Sequence, residues 1–170
     1  APTGLIATFT SEQGTLAIDA EPGVVAVPTD LAHTPLNETP DLPGNLIAVG
    51  RAFRLDAYQA GVYQPALELL APMTLTISYN PDLVPDGQEM YLGLRGYNEQ
   101  TGKWETRGVA VQRIDPSART LTALTTRTGA FAVVVETGVP YLVASAATPA
   151  GIRNLDAGAL VTYTLAVVNP

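Results

Sequence analysis

Short runs of alternating apolar and polar residues occur along almost the whole chain, and they constrain its fold more than any other feature. In residues 74–79, for example, Thr and Ser at the even positions alternate with Leu, Ile and Tyr at the odd positions. A period of two residues is that of a β-strand with one face in the core and one in solvent. No window shows the i, i+3, i+4, i+7 spacing of an amphipathic helix. The sequence therefore predicts an all-β fold.

Turn-forming residues divide these runs into separate strands. Pro22-Gly23, Pro43-Gly44, Asp86-Gly87 and the stretch 98–102 that ends in Gly102 are typical of tight turns and hairpin loops. Strands with one polar and one apolar face pack best as two layers, so we predict an antiparallel two-sheet β-sandwich over residues 1–136. The predicted strands are 5–9, 15–20, 24–27, 47–58, 73–79, 90–97, 103–106, 109–114, 120–126 and 130–136.

Charge and composition exclude several classes of partner. The chain has 170 residues, a formal net charge of −7 and no cysteine. An acidic protein repels nucleic acid and anionic membrane surfaces, and no run of about 18 apolar residues predicts a membrane span. The sequence starts with Ala1-Pro2-Thr3, which resembles the product of signal-peptide cleavage, so we expect a secreted or cell-surface protein. Without cysteine, its stability must come from packing and backbone pairing.

The C-terminal part of the chain has a different composition. Residues 137–158 are rich in Ala, Pro, Gly and Ser and predict a connector with one strand at 141–145. Residues 159–170 then form the cleanest alternating run, with an apolar face made of Val161, Tyr163, Leu165 and Val167. The fold class therefore includes a C-terminal extended strand. Because an exposed apolar strand aggregates unless it is paired, we predict that it is donated to a sheet of another copy; the alternative is that it folds back on its own sheet.

Two parts of the sequence resemble known families. The order of motifs from Gly14 to Val135, including 24–28, 53–58, 72–79, the hairpin 92–104 and 129–133, resembles an exported β-sandwich of filamentous bacteria such as the Chloroflexi, related to the ZU-type domain. Some ZU-type relatives cleave themselves at His-Phe-Ser. The chain has Thr128-Gly129-Ala130-Phe131 there, so the resemblance does not imply self-cleavage. Residues 154–170 resemble the opening strand of an Ig-like repeat of bacterial surface proteins.

No catalytic arrangement can be assembled from the sequence. His33 is the sole histidine, and no serine lies in a Gly-x-Ser-x-Gly turn, so we expect no enzyme and no cofactor. The acidic residues Asp82, Asp86 and Glu89 form a weak candidate for Ca²⁺, although their spacing differs from known calcium loops and a plain turn is favoured. Trp104 and Tyr97, near a hairpin loop, are candidates for stacking on sugar rings.

Two functions are favoured over an enzyme. The first is an extracellular structural subunit that assembles head to tail by strand donation into a filament or surface layer, with copies of itself as partners. The alternative is a spacer or adhesive, carbohydrate-binding module of a larger cell-surface protein, with extracellular glycans as partners. The isolated terminal strand favours the first function, and the family resemblance favours the second.

Overall fold

The computed structural model describes residues 5–11, 14–50, 52–137, 141–146 and 163–168, and these residues contain fourteen strands and no α-helix. The chain divides into two compact units, residues 1–136 and 137–170. The strands are β1 (Leu5–Ser11), β2 (Gly14–Ala20), β3 (Asp30–Pro35), β4 (Leu46–Ala48), β5 (Phe53–Gln59), β6 (Val62–Gln64), β7 (Glu68–Ser78), β8 (Leu92–Asn98), β9 (Lys103–Glu105), β10 (Val109–Asp115), β11 (Thr120–Arg127), β12 (Gly129–Glu136), β13 (Tyr141–Ala146) and β14 (Tyr163–Val168).

The first unit is a two-sheet antiparallel sandwich, as the sequence predicts. One sheet has five strands in the order β1-β2-β7-β11-β10. The other has seven: β3-β5-β12-β8-β9 lie side by side, β4 pairs with β12, and β6 pairs with β5. Two short 3₁₀ turns, Pro81–Leu83 and Glu89–Tyr91, lie between β7 and β8. The all-β sandwich prediction is confirmed.

The core lies between the two sheets and comes from the predicted apolar positions. In β7, Leu75 and Ile77 are buried while the intervening Thr76 is half-buried, so the predicted wet and core faces are confirmed. Residues of the opposite sheet that complete the core include Leu55 and Phe131, both fully buried. Burial of large aliphatic and aromatic side chains is the main favourable term in folding such a domain.

The predicted single strand over residues 47–58 is interrupted. Both β4 and β5 pair with β12: Ala48 lies opposite Val134, and Phe53 lies opposite Phe131. Between these two pairs the chain has four residues, 49–52, where β12 has only two, 132–133, and this difference makes a bulge. The N–H of Val49 still donates to the carbonyl of Val133 at 3.0 Å. Gly50 and Arg51 interrupt the apolar alternation here, and the predicted strand 47–58 ran across this interruption.

Residues 24–27 were predicted as a strand, and this prediction is wrong. They form bends after the Pro22-Gly23 turn. Val24 is nevertheless buried in the main core, and its carbonyl accepts a hydrogen bond from the N–H of Leu70 at 2.8 Å. The apolar pattern therefore predicted the burial of Val24 correctly. The turn before residues 24–27 and Pro28 after them prevent these residues from pairing as a β-strand.

The 137–170 unit contains one two-stranded antiparallel sheet within its described residues. β13 and β14 pair from Tyr141 opposite Val168 to Ala146 opposite Tyr163. The sequence predicts strands at both places, at 141–145 and within 159–170. The structure gives their described parts as Tyr141–Ala146 and Tyr163–Val168.

Candidate functional site

The predicted donor strand has a partner in the same chain. Tyr163, Leu165 and Val167 belong to β14, whose six residues pair with the six residues of β13. Val161 lies outside the described residues. A strand has two hydrogen-bonding sides, and this pairing uses one of them. Insertion of β14 between two foreign strands would require its separation from β13, whereas addition beside a foreign edge would not.

Trp104 and Tyr97 lie next to each other on the outer face of the seven-stranded sheet. They are opposite each other in the β8–β9 pair, and their ring centroids are 5.1 Å apart with the rings tilted by 56°. This pair belongs to a second, smaller apolar cluster on that face. Its buried members are Ala52, Trp104, Ala132 and Val134, and Leu36, Leu42, Leu46 and Tyr97 pack against them.

The 36–45 loop contacts Trp104, and the indole has 7% of its surface exposed. The indole Nε1–H donates to the carbonyl of Pro40 at 3.1 Å, and Leu36 and Leu42 pack on the cluster. The hydrogen bond and the apolar contacts attach the loop to the sheet. A sugar ring can stack on Trp104 only if this loop moves away, so ligand stacking at Trp104 stays a prediction that requires opening of the loop.

A more exposed polar and aromatic surface lies beside this cluster, and we call it the Arg54 patch: Arg54, Asp56, Tyr58, Tyr63 and Glu99. Arg54 Nε contacts an oxygen of Asp56 at 3.1 Å, Arg54 Nη2 lies 3.3 Å from a carboxylate oxygen of Glu99, and Arg54 Nη2 also donates to the hydroxyl of Tyr63. The Tyr58 and Tyr63 ring centroids are 5.7 Å apart. The guanidinium carbon of Arg54 lies 5.9 Å from the Tyr63 ring centroid.

The charges of this patch are mutually satisfied. Burial works against the charged form of Arg54, but Asp56, Tyr63 and Glu99 outweigh it, so the pKa of Arg54 is raised. Burial raises the pKa of Tyr63 as well, and the negative charges of Asp56 and Glu99 add to the shift. Tyr63 therefore remains a neutral phenol at physiological pH, with 37% of its surface exposed. Such a surface can stack and hydrogen-bond.

Alternation alone could have indicated part of the Arg54 patch. Arg54, Asp56 and Tyr58 are the residues that alternate with the apolar positions of β5, so they share its outer face. The sequence gives no comparable signal for Tyr63 and Glu99. They reach Arg54 from a hairpin and from the loop after β8, and those contacts depend on the strand order.

The acidic residues proposed as a weak Ca²⁺ site are part of a turn. The side-chain oxygen of Asn80 accepts a hydrogen bond from the N–H of Asp82 at 3.0 Å and caps the first 3₁₀ turn. Asp86 lies in a tight turn, and Glu89 begins the second 3₁₀ turn. Among the described residues, no group of three or more His, Cys, Asp and Glu side chains is placed to hold a metal, and Asp82, Asp86 and Glu89 do not converge.

His33 lies at a cleft between the sheets. Its ring centroid is 5.3 Å from that of Phe9 and 5.6 Å from that of Phe53. The cleft has a volume of about 40 Å³, which suits water molecules and is far below the several hundred Å³ of a small-molecule pocket. Burial lowers the pKa of His33. This imidazole is a packed, largely neutral side chain.

No family model matches the chain, and no curated protein matches it. The relationship to the ZU-type domain and the Ig-like repeat thus stays a prediction. In the part of the chain that the structure describes, no helix is long and apolar enough to cross a membrane.

Proposed function

We propose that this chain is an extracellular structural subunit that assembles by adding the strand β14 to a sheet of another copy. One observation carries the proposal: the described residues of the 137–170 unit form a sheet of two strands, whereas the 1–136 unit is a complete sandwich with its own core. An isolated two-stranded sheet is marginally stable in water, and three or more strands or a packed face are needed for independent stability. Further strands would stabilise the smaller sheet.

Composition supports a neighbouring copy as a source of those strands. Residues 159–170 contain no charged side chain, although the whole chain has a formal net charge of −7. Copies that carry this charge repel one another except where uncharged surfaces meet. A strand without charge is therefore a segment through which such copies can approach closely. Secretion and a role in a filament or surface layer belong to this proposal.

Paired substitutions in β14 test the proposal. The sequence pattern places Leu165 on the predicted apolar face and Thr164 on the opposite one. Leu165→Asp should abolish concentration-dependent association in sedimentation velocity because it buries a charge in the contact. Thr164→Asp, which adds the same charge one residue away, should weaken association less. Equal association of Leu165→Asp and the unmodified chain would refute strand donation.

The Arg54 patch favours a second candidate function, an adhesive or carbohydrate-binding module of a larger surface protein. Tyr63 offers a partly exposed ring, and Arg54 and Glu99 beside it offer hydrogen-bond donors and acceptors. Aromatic faces flanked by polar groups are the usual means of binding sugar rings. Titration with soluble bacterial polysaccharides tests this function: Tyr63→Ala should abolish binding, whereas Tyr91→Ala, outside the patch, should retain it.

A further inference from the structure

The edges of the two sheets in the sandwich differ in how well they are protected. An edge strand carries a row of unpaired N–H and C=O groups on its outer side, which are a template for another strand. Natural proteins protect such edges with charged side chains, proline, bulges or very short strands. The strands with a free side in the described residues are β1 and β10 in the five-stranded sheet and β3, β4, β6 and β9 in the seven-stranded sheet.

Five of these six strands carry at least one protecting feature. β10 has a register shift between Val111 and Arg113 and ends in the charged Asp115. β3 begins with Asp30 and ends with Pro35. β4, β6 and β9 have three residues each. These are the features with which natural sheets avoid pairing with strands of other chains.

β1 has none of these features. Its seven residues, LIATFTS, contain no charge, no proline and no glycine. They pair with β2 in an unbroken register from Leu5 opposite Ala20 to Ser11 opposite Gly14. Ile6 on this strand is 84% exposed, a high value for an isoleucine in a folded domain. The edge is thus long, regular, uncharged and apolar.

The hydrogen bonds of the neighbouring strand show which groups of β1 point outward. The N–H of Thr15 donates to Ser78 Oγ at 2.6 Å, and that hydroxyl donates to the carbonyl of Thr15 at 3.2 Å. Both backbone groups of Thr15 are thus directed at β7 and away from β1. Its partner Thr10 is therefore in a non-hydrogen-bonded pair, and its N–H and C=O face the free edge. By the alternation of an antiparallel ladder, the same holds for Thr8 and Ile6.

We propose that the free edge of β1 is the acceptor for strand β14 of a second copy. This inference rests on the proposed function and names the surface at which it takes place. Charge favours β14 as the strand that binds this edge. Both β1 and residues 159–170 lack charged side chains in a chain with a formal net charge of −7, so they can pair without like-charge repulsion. Their described lengths are also similar, since the described part of β14 has six residues and β1 has seven.

Hydrogen exchange of the full chain tests this acceptor edge residue by residue. At concentrations where the chain associates, the amides of Ile6, Thr8 and Thr10 should exchange at least about tenfold more slowly than in dilute solution, because each gains a hydrogen bond. The amides of Ala7 and Phe9, which already face β2, should change little. Association without slower exchange at Ile6, Thr8 and Thr10 would overturn the acceptor edge and leave strand donation intact.

Substitutions on the edge provide an independent readout. Thr8→Pro removes an outward N–H and no bond to β2, so it should reduce the association constant by about tenfold or more, whereas Thr8→Val should leave it nearly unchanged. If Thr8→Pro proves misfolded by circular dichroism, Ile6→Lys replaces it, with Val111→Lys on the β10 edge as the matched control.

The remaining outcomes are also decisive. Equal association of the edge variants and their controls would overturn the acceptor edge. Protection of the three amides that does not depend on concentration would mean that the edge is covered within one copy, which also overturns it. A full chain that stays monomeric at every concentration would refute both this inference and the proposed function.

Discussion

The two compact units of this chain differ in the number of strands that their described residues form and in whether those strands enclose a core. In the 1–136 unit, two sheets bury a common core in which Leu55, Leu75 and Phe131 have no exposed surface. In the 137–170 unit, the described residues form two strands paired along one side each. The first arrangement accounts for an independently stable domain, whereas a sheet of two strands alone is marginally stable in water. The main core therefore lies in the sandwich, whereas the proposed function assigns the donated strand to the C-terminal unit.

The largest expected effect on the sandwich comes from Phe131→Ala. Phe131 is fully buried, and its ring centroid lies 5.7 Å from that of Phe53. Its truncation should reduce the free energy of unfolding by about 3–5 kcal/mol, a large part of the total stability of a typical domain. Urea unfolding followed by Trp104 fluorescence measures this loss. The control Leu70→Ala, at a position 72% exposed, should cost little. Equal losses would mean that the core is not where stability resides.

A smaller effect is expected from Gly96→Ala in β8. A Cβ at this position would clash with the guanidinium of Arg127. The Arg127 guanidinium would have to move, and it would lose its contact with Glu105 at 3.2 Å and its hydrogen bond to the carbonyl of Tyr97 at 2.9 Å. The expected loss in unfolding free energy is about 2–3 kcal/mol.

A double-mutant cycle shows whether that contact is the cause. Adding Arg127→Ala to Gly96→Ala should cost less than the sum of the two single changes, because the clash disappears with the guanidinium. Strictly additive losses would mean that Gly96 is required for another reason. Neither variant should alter association, provided that the measurement is made under conditions where the sandwich is folded.

Trp104→Phe should cost about 1 kcal/mol through the loss of the hydrogen bond to the Pro40 carbonyl. The aromatic contact with Tyr97 is largely retained in this variant. The specific expectation is faster limited proteolysis within residues 36–45, because the loop loses its polar attachment to the sheet. Tyr97→Phe, which leaves that hydrogen bond in place, is the control. An unchanged cleavage pattern would show that apolar contacts alone hold the loop.

The smallest effect concerns the pH dependence of the sandwich. Burial lowers the pKa of His33 below its ordinary value, so the unfolded chain takes up this proton first as the pH falls. Folding stability is therefore lost from about pH 6.5 downward through the lowered pKa of the folded state. His33→Phe preserves the stacking between Phe9 and Phe53 and should show a smaller fall in melting temperature between about pH 7.5 and pH 5. Parallel curves for the two proteins would exclude this contribution.

The local parts of the fold could be predicted from the sequence. Alternation identified the buried face of β7, and the turn residues identified the hairpin in which Tyr97 pairs with Trp104. The alternating pattern did not predict β6, which no strong turn signal precedes. The turn between β5 and β6 uses Ala60 and Gly61 with φ of 50° and 78°, and alanine is rare in that conformation, so the β6 strand was missed.

The candidate site depends on contacts that are distant in sequence, which is why it could be predicted only in part. Trp104 was predicted as a stacking residue from its place near a hairpin loop. Its cover by the loop around Pro40, 64 residues away, follows from the packing of that loop on the sheet. Glu99 likewise meets Arg54 only because β8 and β5 both lie beside β12. Strand order determines these contacts, and alternation carries no information about strand order.

Sedimentation velocity combined with thermal unfolding, applied to the full chain and to residues 1–158, tests the division between stability and association most directly. The full chain should associate with increasing concentration. Residues 1–158 should remain monomeric and unfold at the same temperature as the sandwich in the full chain. Two results would contradict this division: undiminished association of residues 1–158, or a lowered melting temperature of their sandwich, which would mean that the terminal strand stabilises its own domain.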